Sequence, residues 1–240
     1  SWIMTFDLGL GNGMKNKLIE SFAAKNDLRS KKIISGSYIS SSAISIFILL
    51  CGGILVFAID LNSIFGVAVS DVSPITLKIA TLITLFGISL EFTLKNIVYI
   101  FHAQQKQRYA NAFPLISSLS LLLFAFFFKF GSTSEQLIYL SIAYALLHNI
   151  IFLLATIFVF AKPLKAIRPS LKFMDFSVVK EVMTLSITFF IIQILLLILN
   201  TTDQILITNF YGPPAVVEYT KYMKIFNAIS SIFTIICITF

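Results

Sequence analysis

Glu91 and Lys95 stand in ITLFGISLEFTLKNIVYIF, a stretch otherwise dominated by apolar residues. An ionised group inside such a run is unfavourable unless it meets a counter-charge or a water-filled cavity. At about 100° per residue, Thr84, Glu91 and Lys95 share one helical stripe. The i, i+4 spacing lets Glu91 and Lys95 neutralise each other, and it equally leaves Glu91 a candidate for ion coupling and Lys95 a candidate for an anion. A second group lies in TTDQILITNFYGPPAVVEYTKYMKIF, from Thr201 to Phe226. Lys221 and Lys224 are three apart and therefore neighbours on a helix surface, with Tyr219 and Tyr222 close by. Such a set suits an anionic head group, and the rings and hydroxyls of the tyrosines suit a sugar. Lysines opening a membrane helix can also simply snorkel, as Lys78 is expected to do. Asp203 joins Glu91 as a candidate for ion coupling.

Three further polar faces recur. Ser186, Gln193 and Asn200 are spaced by seven, Thr220, Lys224, Asn227 and Ser231 share a stripe, and Ser141, Tyr144 and His148 form a shorter face with Asn149 beside it. Hydrogen bonding between packed membrane helices accounts for the hydroxyl members of these faces. His148 reads more readily as a packed hydrogen-bonding residue than as a proton relay. No nucleotide-binding, metalloprotease, serine-hydrolase or zinc-knuckle spacing occurs. Gly9, Gly11 and Gly13 lack the spacing of a dinucleotide fingerprint and point to close helix packing or unwinding. Cys51 and Cys237 lie far apart inside apolar runs, which suits packing rather than metal binding. No cofactor or metal is implied.

The elements that must position these groups follow from composition. Of 240 residues, 58% are hydrophobic and 12% charged, and the mean hydropathy of +0.92 is that of a chain dissolved in lipid. Long apolar runs without strand alternation predict an all-α, polytopic transmembrane bundle, since a spanning helix needs roughly 20 apolar residues. Five runs lie at about 37–59, 75–101, 112–130, 136–161 and 183–209. A helix is expected to enter the chain before them, over about 1–22, and a partial one to follow from about 215, so that about seven helices are present. The end of the chain, SSIFTIICITF, stops inside an apolar run, and the chain is expected to be an internal piece of a longer protein.

The formal charge of +7 does not call for nucleic acid, because the basic residues are spread over short loops. Alternate loops hold thirteen Lys and Arg (15–32, 106–108 and 162–180) against Lys129 alone in the others. Cytoplasmic loops retain positive charge, so the first set is expected in the cytoplasm, with Asp60, Asp71 and Glu135 outside. The stretch AKPLKAIRPSLKFMDFSVVKE carries two prolines and five basic residues, and an interfacial helix is expected after Pro169. It reads as a cytoplasmic linker at 162–182 between a first lobe at 1–161, lacking its first helix, and the start of a second at 183–240.

Two blocks, FDLGLGNGMKNKLIESFAAKND (Phe6 to Asp27) and NTTDQILITNFYGPPAVVEYTKYMKIF (Asn200 to Phe226), give the chain a resemblance to the Wzx-type polysaccharide flippases of the multidrug, oligosaccharidyl-lipid and polysaccharide exporter superfamily. The first looks like the family's second helix and first cytoplasmic loop. The resemblance implies two six-helix lobes, hence a bundle of twelve or more helices, facing each other across a cavity in the bacterial inner membrane. It further implies a polyprenyl-pyrophosphate-linked oligosaccharide as substrate, a coupling ion, transport by alternating access and no enzymatic step. Lys221, Lys224 and Lys95 would then meet the pyrophosphate, Tyr219 and Tyr222 the sugar, and Asp203 and Glu91 the coupling ion. The rivals are a drug or cation antiporter of the same superfamily, which wants an acidic cavity, and a membrane-embedded glycan polymerase or ligase. The polymerase or ligase needs larger outer loops than the 15 or so residues available here.

The charge asymmetry makes the orientation testable. A single cysteine placed at position 25 or 168 of the full-length protein is expected to resist an impermeant thiol reagent added outside intact cells. Labelling at either position reverses the assigned topology.

Overall fold

The computed structural model describes residues 9–65, 68–128 and 131–239, without the side chains of 200, 205, 213–214, 228, 231–232 and 234–239. Most of the Phe6 to Gly9 start of the first block, and the groups expected of Lys129, Asn200, Ser231 and Cys237, lie outside the described residues. Among those described the chain is helical, with no strand. It comprises α1 (Leu10–Ala23), α2 (Asp27–Ala58), α3 (Leu61–Phe65), α4 (Pro74–Leu94), α5 (Asn96–Ala103), α6 (Gln107–Phe127), α7 (Thr133–Ala143), a π turn (Tyr144–His148), α8 (Asn149–Ala161), α9 (Phe176–Tyr211) and α10 (Pro213–Thr239). Among the described residues, five stretches are long and apolar enough to cross a membrane: α2, α4 with α5, α6, α7 through α8, and α9.

All five expected runs are helices, yet three begin well before their apolar residues do. The α2 helix starts at Asp27, ten residues ahead of the apolar run, because Asn26 caps it by accepting from the Arg29 amide at 2.9 Å. Its 32 residues extend about 48 Å, against a hydrocarbon core of about 30 Å, so the polar first turns stand beyond the lipid. The same build recurs at the start of α6. Lys25 and Gln105 both take the left-handed conformation. In each turn the next amide reaches back five residues, Asn26 to the Ser21 carbonyl at 3.0 Å and Lys106 to that of Phe101 at 2.9 Å. Two of the basic loops are thus tight helix-to-helix turns that satisfy the last carbonyls of the preceding helix.

The chain divides into two compact units, 1–190 and 191–240, with the division inside α9. In the first unit, α1 packs on α2 and α5, α2 on α4, and α4 on α7, the π turn and α8. Its largest apolar cluster joins Met14, Leu18, Ile33, Ile97, Phe152 and Val159. The start of α9 closes on α1 at Gly9 and Gly13, as close helix packing requires. A Cβ on Gly13 would lie 2.2 Å from the Ser186 hydroxyl and 2.8 Å from the Val182 carbonyl oxygen. The segment after α8 holds only two 3-10 turns, Lys165–Ile167 and Leu171–Phe173, so a single turn follows Pro169 where an interfacial helix was expected.

That segment lies across the start of α2. The Ser170 amide donates to the Ser35 hydroxyl at 3.0 Å, Lys31 sits 4.0 Å from the centre of the Phe173 ring, and Lys32 and Arg29 pair with Asp175 and Glu181 at 2.9 Å each. The Lys32 ammonium, helped by the Ser177 amide, holds the Asp175 carboxyl below its ordinary value. A depressed carboxyl contributes its stabilisation above the ordinary carboxylate range and loses it as pH falls through the lowered value, so this clasp is complete at neutral pH. At the opposite end of the unit, Ser73 caps α4 with Pro74 in its first turn. There Asn62 donates to the Val72 carbonyl at 3.0 Å, folding the connection over Leu61, Val72 and Leu77.

Close approach at Gly13 predicts a steep size dependence. Gly13→Leu in the full-length protein is expected to lower thermal stability in detergent by about 1–3 kcal/mol, the usual cost of overpacking. Gly53→Leu, where an added Cβ meets nothing within 4 Å, is expected to leave the transition unchanged.

Candidate functional site

Glu91 comes seventeen residues after the first residue of α4, about 26 Å along the helix, and only 5% of it is exposed. Its carboxylate faces the helix pair formed by α7 and α8. Tyr144 Oη donates to Glu91 Oε2 at 3.0 Å, and His148 Nε2 lies 3.2 Å from Glu91 Oε1. Behind the imidazole, Ser117 of α6 places its hydroxyl on His148 Nδ1 and also 3.2 Å from the His148 carbonyl oxygen. The Tyr144 ring stacks on the imidazole with centroids 5.4 Å apart, and Phe152 meets it edge-on at 5.6 Å. Carboxylate, imidazole, phenol and alcohol thus form one chain of polar contacts across three spanning segments.

Local backbone structure makes this possible. Tyr144 and His148 are the first and last residues of the π turn, and π turns recur at functional sites because they re-aim side chains within a helix. The Asn149 amide goes to the Leu146 carbonyl, and the Asn149 side chain supplies Ala145 O with a donor at 3.0 Å. The same Nδ2 donates to Gly87 O at 3.0 Å, pinning the turn to α4. Gly87 admits the approach, since a Cβ there would lie 2.9 Å from Ala145 Cα. One turn beyond Glu91, half-buried Lys95 sits at the break between α4 and α5. Asn96, next to it, donates to the Ser41 hydroxyl of α2 at 2.6 Å, and Thr93 meets Ser45 at 2.9 Å.

Sequence spacing singled out Glu91 and, separately, the Ser141, Tyr144 and His148 face. It missed that the two meet, because the partners are 53 and 57 residues apart, and it missed Ser117 altogether. The signal available for Ser117 was a cluster of hydroxyls, Ser117, Ser118 and Ser120, within the apolar part of this helix.

In the second unit, Gly212 takes the left-handed conformation and turns α9 into α10. This brings the Tyr219 hydroxyl to Asp203, to which it donates at 2.9 Å. Lys221 and Lys224 line one open groove of about 430 Å³ with Thr208, Val216, Val217 and Thr220. Tyr222 is exposed. Tyr219 is thereby engaged with Asp203, while the two lysines share a groove. Among the described residues no group of three or more His, Cys, Asp or Glu side chains is placed to hold a metal ion.

Apolar spanning helices and a hydrogen-bonded polar cluster held between them define an all-α, multi-pass membrane protein. Residues 2–239 match the polysaccharide biosynthesis protein family, and the chain belongs to that family. No curated protein matches it, and no solved structure does.

A charged or protonated group left alone in this cluster is uncompensated in a low-dielectric setting. Glu91→Gln and His148→Gln in the full-length protein are each expected to destabilise it by about 3–5 kcal/mol. Their combination is expected to fall short of the sum by about 0.5–3 kcal/mol, the range for coupled neighbours. Thermal unfolding of the four proteins in detergent measures this, and strict additivity would separate the two residues.

Proposed function

We propose that this chain forms part of a flippase that carries a polyprenyl-pyrophosphate-linked oligosaccharide across the cytoplasmic membrane for cell-surface polysaccharide assembly. The observation that carries the reading is membership of a polysaccharide biosynthesis family by a chain whose described residues hold five helices long and apolar enough to span a membrane. In the described part, the connections facing away from the basic end are short: residues 59–73 separate α2 from α4. Such connections suit movement of a preassembled glycan better than its polymerisation outside the membrane. On this reading the transport step makes and breaks no covalent bond, and two lobes rock about a central site. The basic turns at 24–26 and 104–106, with the segment at 162–175, face the cytoplasm.

The three parts of such a substrate ask for different surroundings. The pyrophosphate needs fixed cations, for which Lys221 and Lys224 are the first candidates and Lys95 the next. The sugars need hydroxyl and aromatic partners, a role open to Tyr222 and, through its ring, Tyr219. The polyprenyl tail can stay in lipid. Lys221 and Lys224 support the assignment by sharing a groove on one helix face rather than splaying apart.

Surface glycan assembly and membrane abundance, measured together in the full-length protein, test the site. The Lys221→Gln, Lys224→Gln pair is expected to reduce glycan assembly by roughly tenfold or more at normal abundance, the worth of one charge-assisted hydrogen bond. Lys221→Arg and Lys224→Arg are expected to restore much of it. Normal assembly in the double Gln variant removes these lysines from the substrate path.

A further inference from the structure

The cluster around Glu91 has one property that packing alone does not require: its hydrogen bonds close in two protonation states with the heavy atoms in place. In the first, His148 is neutral and carries its proton on Nε2, which donates to Glu91 Oε1, while the Ser117 hydroxyl donates to Nδ1. In the second, Nδ1 is protonated as well. The imidazolium then donates to Glu91 through Nε2–H and to Ser117 through Nδ1–H, and the Ser117 proton turns to the His148 carbonyl oxygen 3.2 Å away. Tyr144 donates to Oε2 throughout. Rotating one hydroxyl is all that separates the two. The first state carries a net charge of −1 and the second is neutral, so a site closed to water favours taking up the proton and a site opened to water tolerates its loss.

We propose that Glu91, His148 and Ser117 are the proton-binding site of this protein and that the ion coupled to transport is therefore a proton, which enters at His148 Nδ1. The proposal rests on the transport reading above. The imidazole has an effectively dry setting, stacked on Tyr144 and edge-on to Phe152, and 8% exposed. The other elements packed on α4 at this level bring alcohols and amides. Ser45 of α2 reaches Thr93, Asn149 of α8 reaches Gly87, and Ser117 of α6 reaches the imidazole itself. Lys95, one turn along at the end of α4, is the nearest other ionisable group along the chain, and Tyr144 the one across from it. Proton state and backbone are joined because Tyr144 and His148 bound the π turn. Uptake of the proton turns the Nε2 contact with Glu91 from that of a neutral donor into an ion pair and so ties that end of the turn more tightly to α4, which is a route from a bound proton to a movement of α7 and α8. The sequence reading of His148 as a packed hydrogen-bonding residue is here extended by a carboxylate partner.

Nitrogen-15 NMR of the histidine rings, on the full-length protein in nanodiscs, tests the site directly. Subtraction of the His148→Gln spectrum assigns the signal. His148 is expected to pass from the Nε2–H tautomer to the doubly protonated ring as pH is lowered. Glu91→Gln is expected to lose the conversion, since the imidazolium then has no counter-charge. Ser117→Ala is expected to lose it too, whereas Ser117→Thr, which keeps the hydroxyl, retains it. A wild-type ring that does not change with pH, or one that converts equally in Glu91→Gln, overturns the proposal, and the wild-type arm stands even if a variant fails to fold. In vesicles holding the lipid-linked oligosaccharide, wild-type movement that responds to an imposed pH gradient supports the coupling. Movement indifferent to the gradient overturns it and leaves the transport reading standing. No movement under any gradient, with the ring conversion intact, removes the transport reading and the coupling role with it.

Discussion

Lipid offers no hydrogen bonds, and the first unit is organised by that constraint. Apart from the buried Ser89 hydroxyl, which meets no hydrogen-bond partner among the described residues, the polar groups that α4 carries into the bundle are answered by protein. The Thr81 and Thr84 hydroxyls fold back onto the carbonyls of Leu77 and Ala80 at 2.8 Å each. Further along, Thr93 is met by Ser45, Asn96 by Ser41, the Gly87 carbonyl by Asn149, and Glu91 by Tyr144 and His148. In water each of these contacts would exchange with solvent and contribute little. Where the alternative is an unsatisfied group in hydrocarbon, they decide which helices may neighbour one another. The same need explains the use of small residues at the contacts. A hydroxyl or amide reaches across only where the backbones come close, as Gly87 and Gly13 permit.

Apolar bulk is distributed accordingly. Phe47, Leu50 and Ile54 on α2, and Leu122, Phe126 and Phe127 on α6, point outward and are exposed in the isolated chain, where a lipid surround is their natural neighbour. Large buried side chains gather instead where Met14, Leu18, Ile33, Ile97 and Phe152 meet. That cluster sits beside the tight turns and the clasp of Lys32 and Arg29 on Asp175 and Glu181. One end of the unit is thus packed around a large apolar cluster and the opposite end around a small one at Leu61, Val72 and Leu77, while hydroxyl and amide contacts between small residues hold the helices between them.

Much of this architecture was legible in the sequence, for a simple reason: hydropathy reports where a chain lies in lipid. It does not report where a helix ends once outside, which is why α2, α6 and α9 begin before their apolar runs. Capping by Asn26 and the backward-reaching amides of Asn26 and Lys106 decide the first two of those boundaries, and Asp175, accepting from the Ser177 amide at 3.0 Å, stands at the third. The site was legible as a residue and not as a constellation. Glu91 stood out because a carboxylate in an apolar run has to be explained. Spacing along one helix could offer it only Lys95, whereas the partners found for its two oxygens come from a helix pair more than fifty residues on. Asp203 and Tyr219 show the same limit on a smaller scale. They were assigned different tasks, ion and sugar, and the turn at Gly212 brings them into one hydrogen bond.

The π turn has an evolutionary reading. A π turn is equivalent to one residue inserted into an α-helix, and removing it would rotate everything on one side by about 100° relative to the other. Tyr144 and His148 lie at its two ends, so a homologue lacking that residue would keep the same letters in this helix yet could not aim both side chains at the position of Glu91. Within the family, a one-residue gap between Ser141 and Asn149 would therefore be a sharper marker of a lost site than any substitution, and it would be invisible to a comparison that scores residue identity alone.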